Sequence, residues 1–138
     1  MTLIDTSVLI DAFDTSSPLN LWATDQIAAA VSIGGAAVNP ITLAEVGVNG
    51  DLAAVKARIT GEGIQLAPLP IAASGPAARA FAEYLPRRKA ATAAPRVPLP
   101  DFFIGAHAEA EGWKLLTNDA ARFRTYFPRV EVVAPEAD

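Results

Sequence analysis

The sequence contains no cysteine and a single histidine in its 138 residues. Without thiols there is no disulfide framework, no thiolate zinc site and no cysteine nucleophile. With His107 alone there is no multi-histidine metal site and no histidine relay. A long unbroken apolar run is also missing. The 19 residues from Gln26 to Ala44 carry no charge, but Gly34, Gly35, Asn39 and Pro40 interrupt them. They read as helix, turn and strand inside a core, not as a membrane span. Met1 is followed by Asp5, Asp11 and Asp14 and by no basic segment, which does not fit a signal peptide. The expectation is a cytoplasmic protein with no membrane partner.

The length fits one domain, residues 1–138, able to bury a core without staples. The 51% hydrophobic content includes 29 alanines, but 37 residues are Val, Ile, Leu or Phe, enough to drive folding. The net charge of −4 is unevenly spread. Residues 1–78 hold seven acids against Lys56 and Arg58, net −5, and residues 97–138 hold seven acids against four bases, net −3. Between them Arg79, Arg87, Arg88, Lys89 and Arg96 face Glu83 alone, net +4. A basic stretch in an acidic chain is a candidate nucleic-acid contact, or else a solvated loop.

Short apolar runs alternate with helical patterns along the whole chain. Strands are expected at Leu3 to Asp5, Ala36 to Val38, Ile64 to Leu69, Lys114 to Thr117 and Val130 to Val133. Helices are expected after Thr6, from Pro18 to Ile33 with a left-handed end at Gly34 and Gly35, from Ile41 to Gly47, and from the cap Asp51 to Ile59. Others are expected from the cap Ser74 to Tyr84, from Asp101 to Gly112 and from Asp119 to Phe123. Four prolines from Leu85 to Pro100 inclusive (Pro86, Pro95, Pro98 and Pro100) make that basic stretch mostly loop. The economical architecture is an α/β domain with a mostly parallel central sheet flanked by helices.

Ligands of such a sheet gather beyond the carboxyl ends of the strands. Asp5 ends the first strand, Glu45 lies in the helix after the second, Asp101 opens a helix and Asp119 follows the fourth strand. Asp5 and Glu45 interrupt otherwise core-like segments, where a carboxylate is costly unless paired, hydrogen-bonded or bound to a cation. Each acid has a plainer reading: Asp5 and Asp119 as turn or cap residues, Asp101 as an ordinary helix-start acid, Glu45 as half-exposed. Together at one sheet edge they suit a hard divalent cation with oxygen ligands.

The segments LIDTSVLID, ITLAEV, PDFFIGAHA and LLTNDAARFRTYFP, in this order, resemble the signature of PIN-domain ribonucleases, and in this short form the VapC-type toxins of bacterial toxin–antitoxin pairs. The resemblance implies a compact α/β PIN domain and a Mg²⁺- or Mn²⁺-dependent RNA endonuclease. It further implies inhibition by a small antitoxin, and a homodimer. Matched residue by residue, it makes Asp5, Glu45, Asp101 and Asp119 catalytic metal ligands. Thr6, Ser7 and Thr117 become hydroxyls beside the metal site, and Asn118 a phosphate contact. Hydrolysis by a metal-activated water is the reaction implied.

The basic residues Arg79, Arg87, Arg88, Lys89 and Arg96 then gain a role, rimming the acidic site for RNA, and Arg122, Arg124 and Arg129 can serve similarly. His107, beside Glu109 and Glu111, is expected to face solvent. Phe13, Trp22 and Tyr84 fit either the core or a partner-binding groove. Two other readings are a catalytically silent PIN-like module binding RNA or protein, and a different acidic phosphotransfer fold. The latter is disfavoured by Ser7 where a dehalogenase-like site needs a second aspartate, and by Lys114 inside a strand.

Overall fold

A computed structural model describes residues 1–90 and 99–136, with the backbone alone for residues 88–90. Among the described residues the strands β1 (Thr2–Ile4), β2 (Ala36–Val38), β3 (Gln65–Leu66), β4 (Lys114–Leu116) and β5 (Val132–Val133) form one sheet of order β3-β2-β1-β4-β5. Every pairing is parallel. The helices are α1 (Thr6–Phe13), α2 (Asn20–Ser32), α3 (Pro40–Gly47), α4 (Leu52–Gly61), α5 (Ser74–Ala90), α6 (Leu99–Glu111) and α7 (Ala120–Tyr126).

The strands are short because each is soon closed by a polar residue or proline, and of the described strands only β1 and β2 are buried along their whole length. Alternation along them divides the core in two. Leu3 and Leu115 face a cluster with Tyr84, Phe102, Phe123 and Phe127 from α5, α6 and the α7 segment. Ile4 and Leu116 face Val8, Leu9, Ile27, Val38, Ile59 and Ile64, under α1, α2 and α4. Phe102 is the hub of the first cluster, with Tyr84 and Tyr126 edge-on at 5.4 Å each. Phe13 and Trp22 pack, part-buried, on the second cluster, and Arg58 lies 3.8 Å above the Phe13 ring.

Several boundaries differ from the sequence expectation. β3 is reduced to two exposed residues, since Pro68 and Pro70 have no N–H to extend an edge ladder. Ser74 is already helical rather than a cap, because a 3₁₀ turn at Ile71–Ala73 leads directly into α5. α5 continues past Tyr84 through Pro86 to Ala90. The stretch from Leu85 to Ala90 is therefore helix, not loop: one proline removes one backbone bond, while Ala77, Ala80 and Tyr84 anchor the preceding turns in the core. Residues 91–98, including Arg96 and the expected loop around it, lie outside the described residues. The left-handed end of α2 (Gly34 φ 85°, Gly35 φ 92°) and the Asp51 cap of α4 (2.9 Å to the Ala53 N–H) match expectation.

The largest correction is His107, which is 1% exposed. α6 packs against α3, α5, β1 and β4 and so has few outward positions. Asn39 Nδ2 donates to His107 Nδ1 at 3.1 Å, and the ring lies 5.1 Å from that of Trp113. With Nδ1 an acceptor the imidazole is neutral with its proton on Nε2. Burial pushes its pKa down, against a smaller opposing effect of Glu111.

Candidate active site

β1 ends at Ile4 so that Asp5 stands at the carboxyl edge of the central strand, its N–H donating to the Leu116 carbonyl of β4 at 2.9 Å. It occupies the cap position of α1 without capping it. Instead its Oδ2 accepts from Thr117 Oγ1 at 2.8 Å and Ser7 Oγ at 3.1 Å. Asp5 is 6% exposed. Burial raises its pKa, the Thr117 and Ser7 hydroxyls and the Thr6 N–H oppose that, and the Glu45 charge adds to it. Thr117 is fully buried, and the oxygen that donates to Asp5 also accepts the Asp119 N–H at 3.0 Å. One hydroxyl thus locks the end of β1 to the start of α7.

Glu45 is oriented by hydroxyls in series. Thr6 Oγ1 donates to Glu45 Oε1 at 2.9 Å and lies 3.0 Å from Thr42 Oγ1. Because the one Thr6 proton goes to the carboxylate, Thr42 is the donor to Thr6. Thr42 lies one turn before Glu45 on the same face of α3 and is fully buried. α3 begins at this depth because Asn39 Oδ1 accepts from the Ile41 and Thr42 N–H groups (2.9 and 3.3 Å), ahead of Pro40 in the first turn.

Asp101 lies in the first turn of α6 and is bound by Arg122 Nη1 at 2.6 Å. Arg122 Nε lies 3.2 Å from Asp119 Oδ2. The Asp101 carboxyl is pushed up to about 6: burial acts first, Arg122 opposes it, and repulsion from Asp5, Glu45 and Asp119 adds to it. Carboxylates from four separate segments therefore share one electrostatic neighbourhood at the carboxyl edge of the sheet. Such acceptor-only oxygens suit a hard divalent cation. Among the described residues no three acids stand close enough to hold one ion as the side chains lie. A guanidinium bridges two of them.

Other expected residues fall elsewhere. Asn118 Nδ2 donates to Asp11 Oδ2 at 2.8 Å, and Asp11 Oδ1 also accepts from Ser17 Oγ at 2.9 Å. Asn118 is thereby turned toward α1. Arg79 binds Glu109 through both nitrogens at 2.8 and 2.7 Å, eight residues along α6 from Asp101, about 12 Å of helix. Arg87 is exposed, 5.4 Å from the Tyr126 ring of α7. The side chains of Arg88 and Lys89, and all of Arg96, lie outside the described residues. Thr42, Asn39 and Asp11 are contributors that the sequence did not single out. Thr42 has a local signal, its spacing to Glu45; Asp11 has none, since Asn118 is 107 residues away.

A family model described as PIN domain matches residues 2–128. A search of curated proteins gives no significant match. Among solved structures, the chain is similar to VapBC2 of Rickettsia felis bound to a promoter DNA fragment, at TM-score 0.68 and 17% identity, covering 96% of this chain and 97% of that one. It is also similar to DNA-bound VapBC of Salmonella typhimurium (TM-score 0.67, 20% identity, 96% of each chain). VapC20 of Mycobacterium tuberculosis, a sarcin-ricin loop cleaving toxin, aligns at TM-score 0.57 and 14% identity over 100% of this chain and 92% of that one.

Proposed function

The chain belongs to the PIN domain family, and from that premise we propose that it is a Mg²⁺- or Mn²⁺-dependent endoribonuclease, the toxin of a toxin–antitoxin pair. The observation that carries this reading is the gathering of Asp5, Glu45, Asp101 and Asp119, from four separate segments, at one sheet edge, where Thr117 joins Asp5 to Asp119, Arg122 joins Asp119 to Asp101, and Thr6 beside Asp5 holds Glu45. Such convergence is unfavourable by itself, and a cation compensates it.

Asp5, Glu45, Asp101 and Asp119 would hold the ion. When bound, a divalent ion lowers the pKa of an attacking water and offsets charge on the phosphoryl oxygens of the scissile bond. The chain's part is to keep the donors in place. Thr117 and Ser7 aim Asp5, and Thr42 aims Glu45 through Thr6. Hydrolysis adds the elements of water across one P–O bond, leaving a phosphate monoester and a hydroxyl on the two RNA ends. Arg87, with Arg88 and Lys89 next in the chain and Arg96 beyond, offers positive charge to the RNA backbone. Arg79 is engaged by Glu109 and sits apart from this set.

A small cognate antitoxin is the proposed partner, supported by solved relatives that are toxin–antitoxin complexes. The reading further includes a single domain over residues 1–138, a homodimer and a cytoplasmic location. Among the described residues no helix is long and apolar enough to cross a membrane. A silent binding module would have no need of this carboxylate set.

The test is cleavage of RNA by the purified chain with Mg²⁺ or Mn²⁺. Asp5→Asn and Asp101→Asn should each lower the rate about 100-fold or more while leaving the protein folded. Unchanged cleavage in either variant refutes the assignment. Neutralising Arg87, Arg88 and Lys89 together should flatten the salt dependence of RNA binding by roughly 0.7 for each phosphate that is no longer neutralised.

A further inference from the structure

Arg122, read from the sequence as a further RNA contact, is bonded to two of the four acids. Its Nη1 is 2.6 Å from Asp101 Oδ2 and its Nε 3.2 Å from Asp119 Oδ2, so one guanidinium bridges the first turn of α6 and the cap of α7. The link to Asp119 is local, three residues along one helix edge; the link to Asp101 joins two elements. Both oxygens belong to acids proposed above to hold the cation. A guanidinium bonded to them withholds them from a metal ion, and the two positive charges would repel at such a distance. Among the described residues no three acids close on one point while the bridge is made. The Arg122 side chain is 32% exposed, so an outward rotamer is open to it.

We infer that Arg122 is a built-in competitor for the divalent cation: it pairs with Asp101 and Asp119 in the metal-free protein, and it swings away from α6 as these acids close on an ion. The inference rests on the metal-dependent reading above. Physically, the bridge relieves repulsion within the acid cluster before the ion arrives. The same bridge lowers apparent cation affinity, because only the fraction of molecules with the arginine out is competent to bind.

The experiment is isothermal titration of Mn²⁺ into the full chain, comparing the unaltered protein with Arg122→Gln, Arg122→Lys and Asp101→Asn, each first checked for folding by circular dichroism. Arg122→Gln should bind Mn²⁺ roughly two- to fivefold more tightly, the change expected from breaking partly exposed charged pairs. Arg122→Lys, which keeps the charge but lacks the planar fork, should bind more tightly by a smaller factor, and it decides the question if the glutamine variant does not fold. Equal or weaker binding by the folded variants overturns the inference, while loss of binding in Asp101→Asn would still uphold the metal site. If the unaltered protein and Arg122→Gln both fail to bind Mn²⁺, the metal-dependent reading itself falls, and the inference with it. In ¹H–¹⁵N spectra the Arg122 Nε–H signal should move toward that of a free arginine on saturation with Mg²⁺; a signal that stays in place at saturation also overturns it.

Discussion

Gly105→Ala tests how closely α6 is seated, and with it the position of Asp101 one turn away. A Cβ built on Gly105 overlaps Cδ2 and Cε2 of Phe127 and comes within 2.9 Å of its Cγ. Phe127 is 2% exposed, packs 6.4 Å from Phe102, and its N–H is fixed to the Phe123 carbonyl at 2.7 Å, so the ring has nowhere to retreat. Overpacking of this kind costs about 1 to 3 kcal/mol, and an overlap with three ring carbons belongs at the upper end. Alanine returns about 1 kcal/mol as the better helix former, leaving a net loss of about 2 kcal/mol. For a chain of this length that is a fall in Tm of about 7 °C. Urea and thermal unfolding followed by circular dichroism measure it. Phe127→Leu in the alanine background should cost less than in the unaltered protein, with a coupling of at least about 1 kcal/mol. Catalysis should fall further than stability, since the clash pushes α6 away from Asp119. A Gly105→Ala protein as stable as the original, with no coupling to Phe127, would refute the argument.

Other expectations are more local. His107 has a lowered folded pKa, so its contribution to stability is complete above its unfolded value near 6.5 and is lost as pH falls toward the folded value. The difference in unfolding free energy between the unaltered protein and His107→Gln should therefore shrink below pH 6.5, by at most about 1.4 kcal/mol per pH unit; a difference independent of pH contradicts this. Asp101 works in the opposite sense, since its raised pKa makes the metal-free fold gain stability as pH falls through about 6, and that effect cancels in the comparison. Thr42→Val should cost about 1 to 2 kcal/mol and slow RNA cleavage roughly tenfold, with Thr42→Ser restoring the rate; an unaffected rate would remove Thr42 from the positioning of Glu45. Arg79→Ala should cost about 1 kcal/mol or less and leave RNA binding and its salt dependence unchanged, as a filter-binding series can show.

Much of the fold was legible because its signals are local. The apolar runs at Leu3 and Leu115, the glycines after α2 and the cap at Asp51 each act within a few residues. Asp5 and Glu45 were conspicuous for a related reason: a carboxylate inside a core-like run stands out without any knowledge of its partners, whereas Asp101 and Asp119 were singled out by their places at helix starts and by the family resemblance. Errors arose where packing overrides local chemistry. Pro86 reads as a helix breaker, yet the turns before it are anchored in the core. His107 reads as exposed on a helix that also carries Glu109 and Glu111, yet neighbours on several sides bury it and Asn39 satisfies its ring. Whether a helix has one buried face or several depends on how many elements surround it, which its own periodicity does not record.

The sequence by itself determined which chemistry was open to this protein. Lacking thiols and a second histidine, it could assemble a polar site only from oxygens and cations, and strand–helix alternation put Asp5 and Asp119 just past the ends of parallel strands. Tertiary structure decided the rest, because hydrogen bonds and charge coupling depend on distances that no spacing encodes. It turned Thr42 toward Thr6, tied Asn118 to Asp11, paired Arg79 with Glu109, and set Arg122 between Asp101 and Asp119. A carboxylate announces itself in sequence by the cost of burying it; the partner that offsets that cost is chosen by the fold.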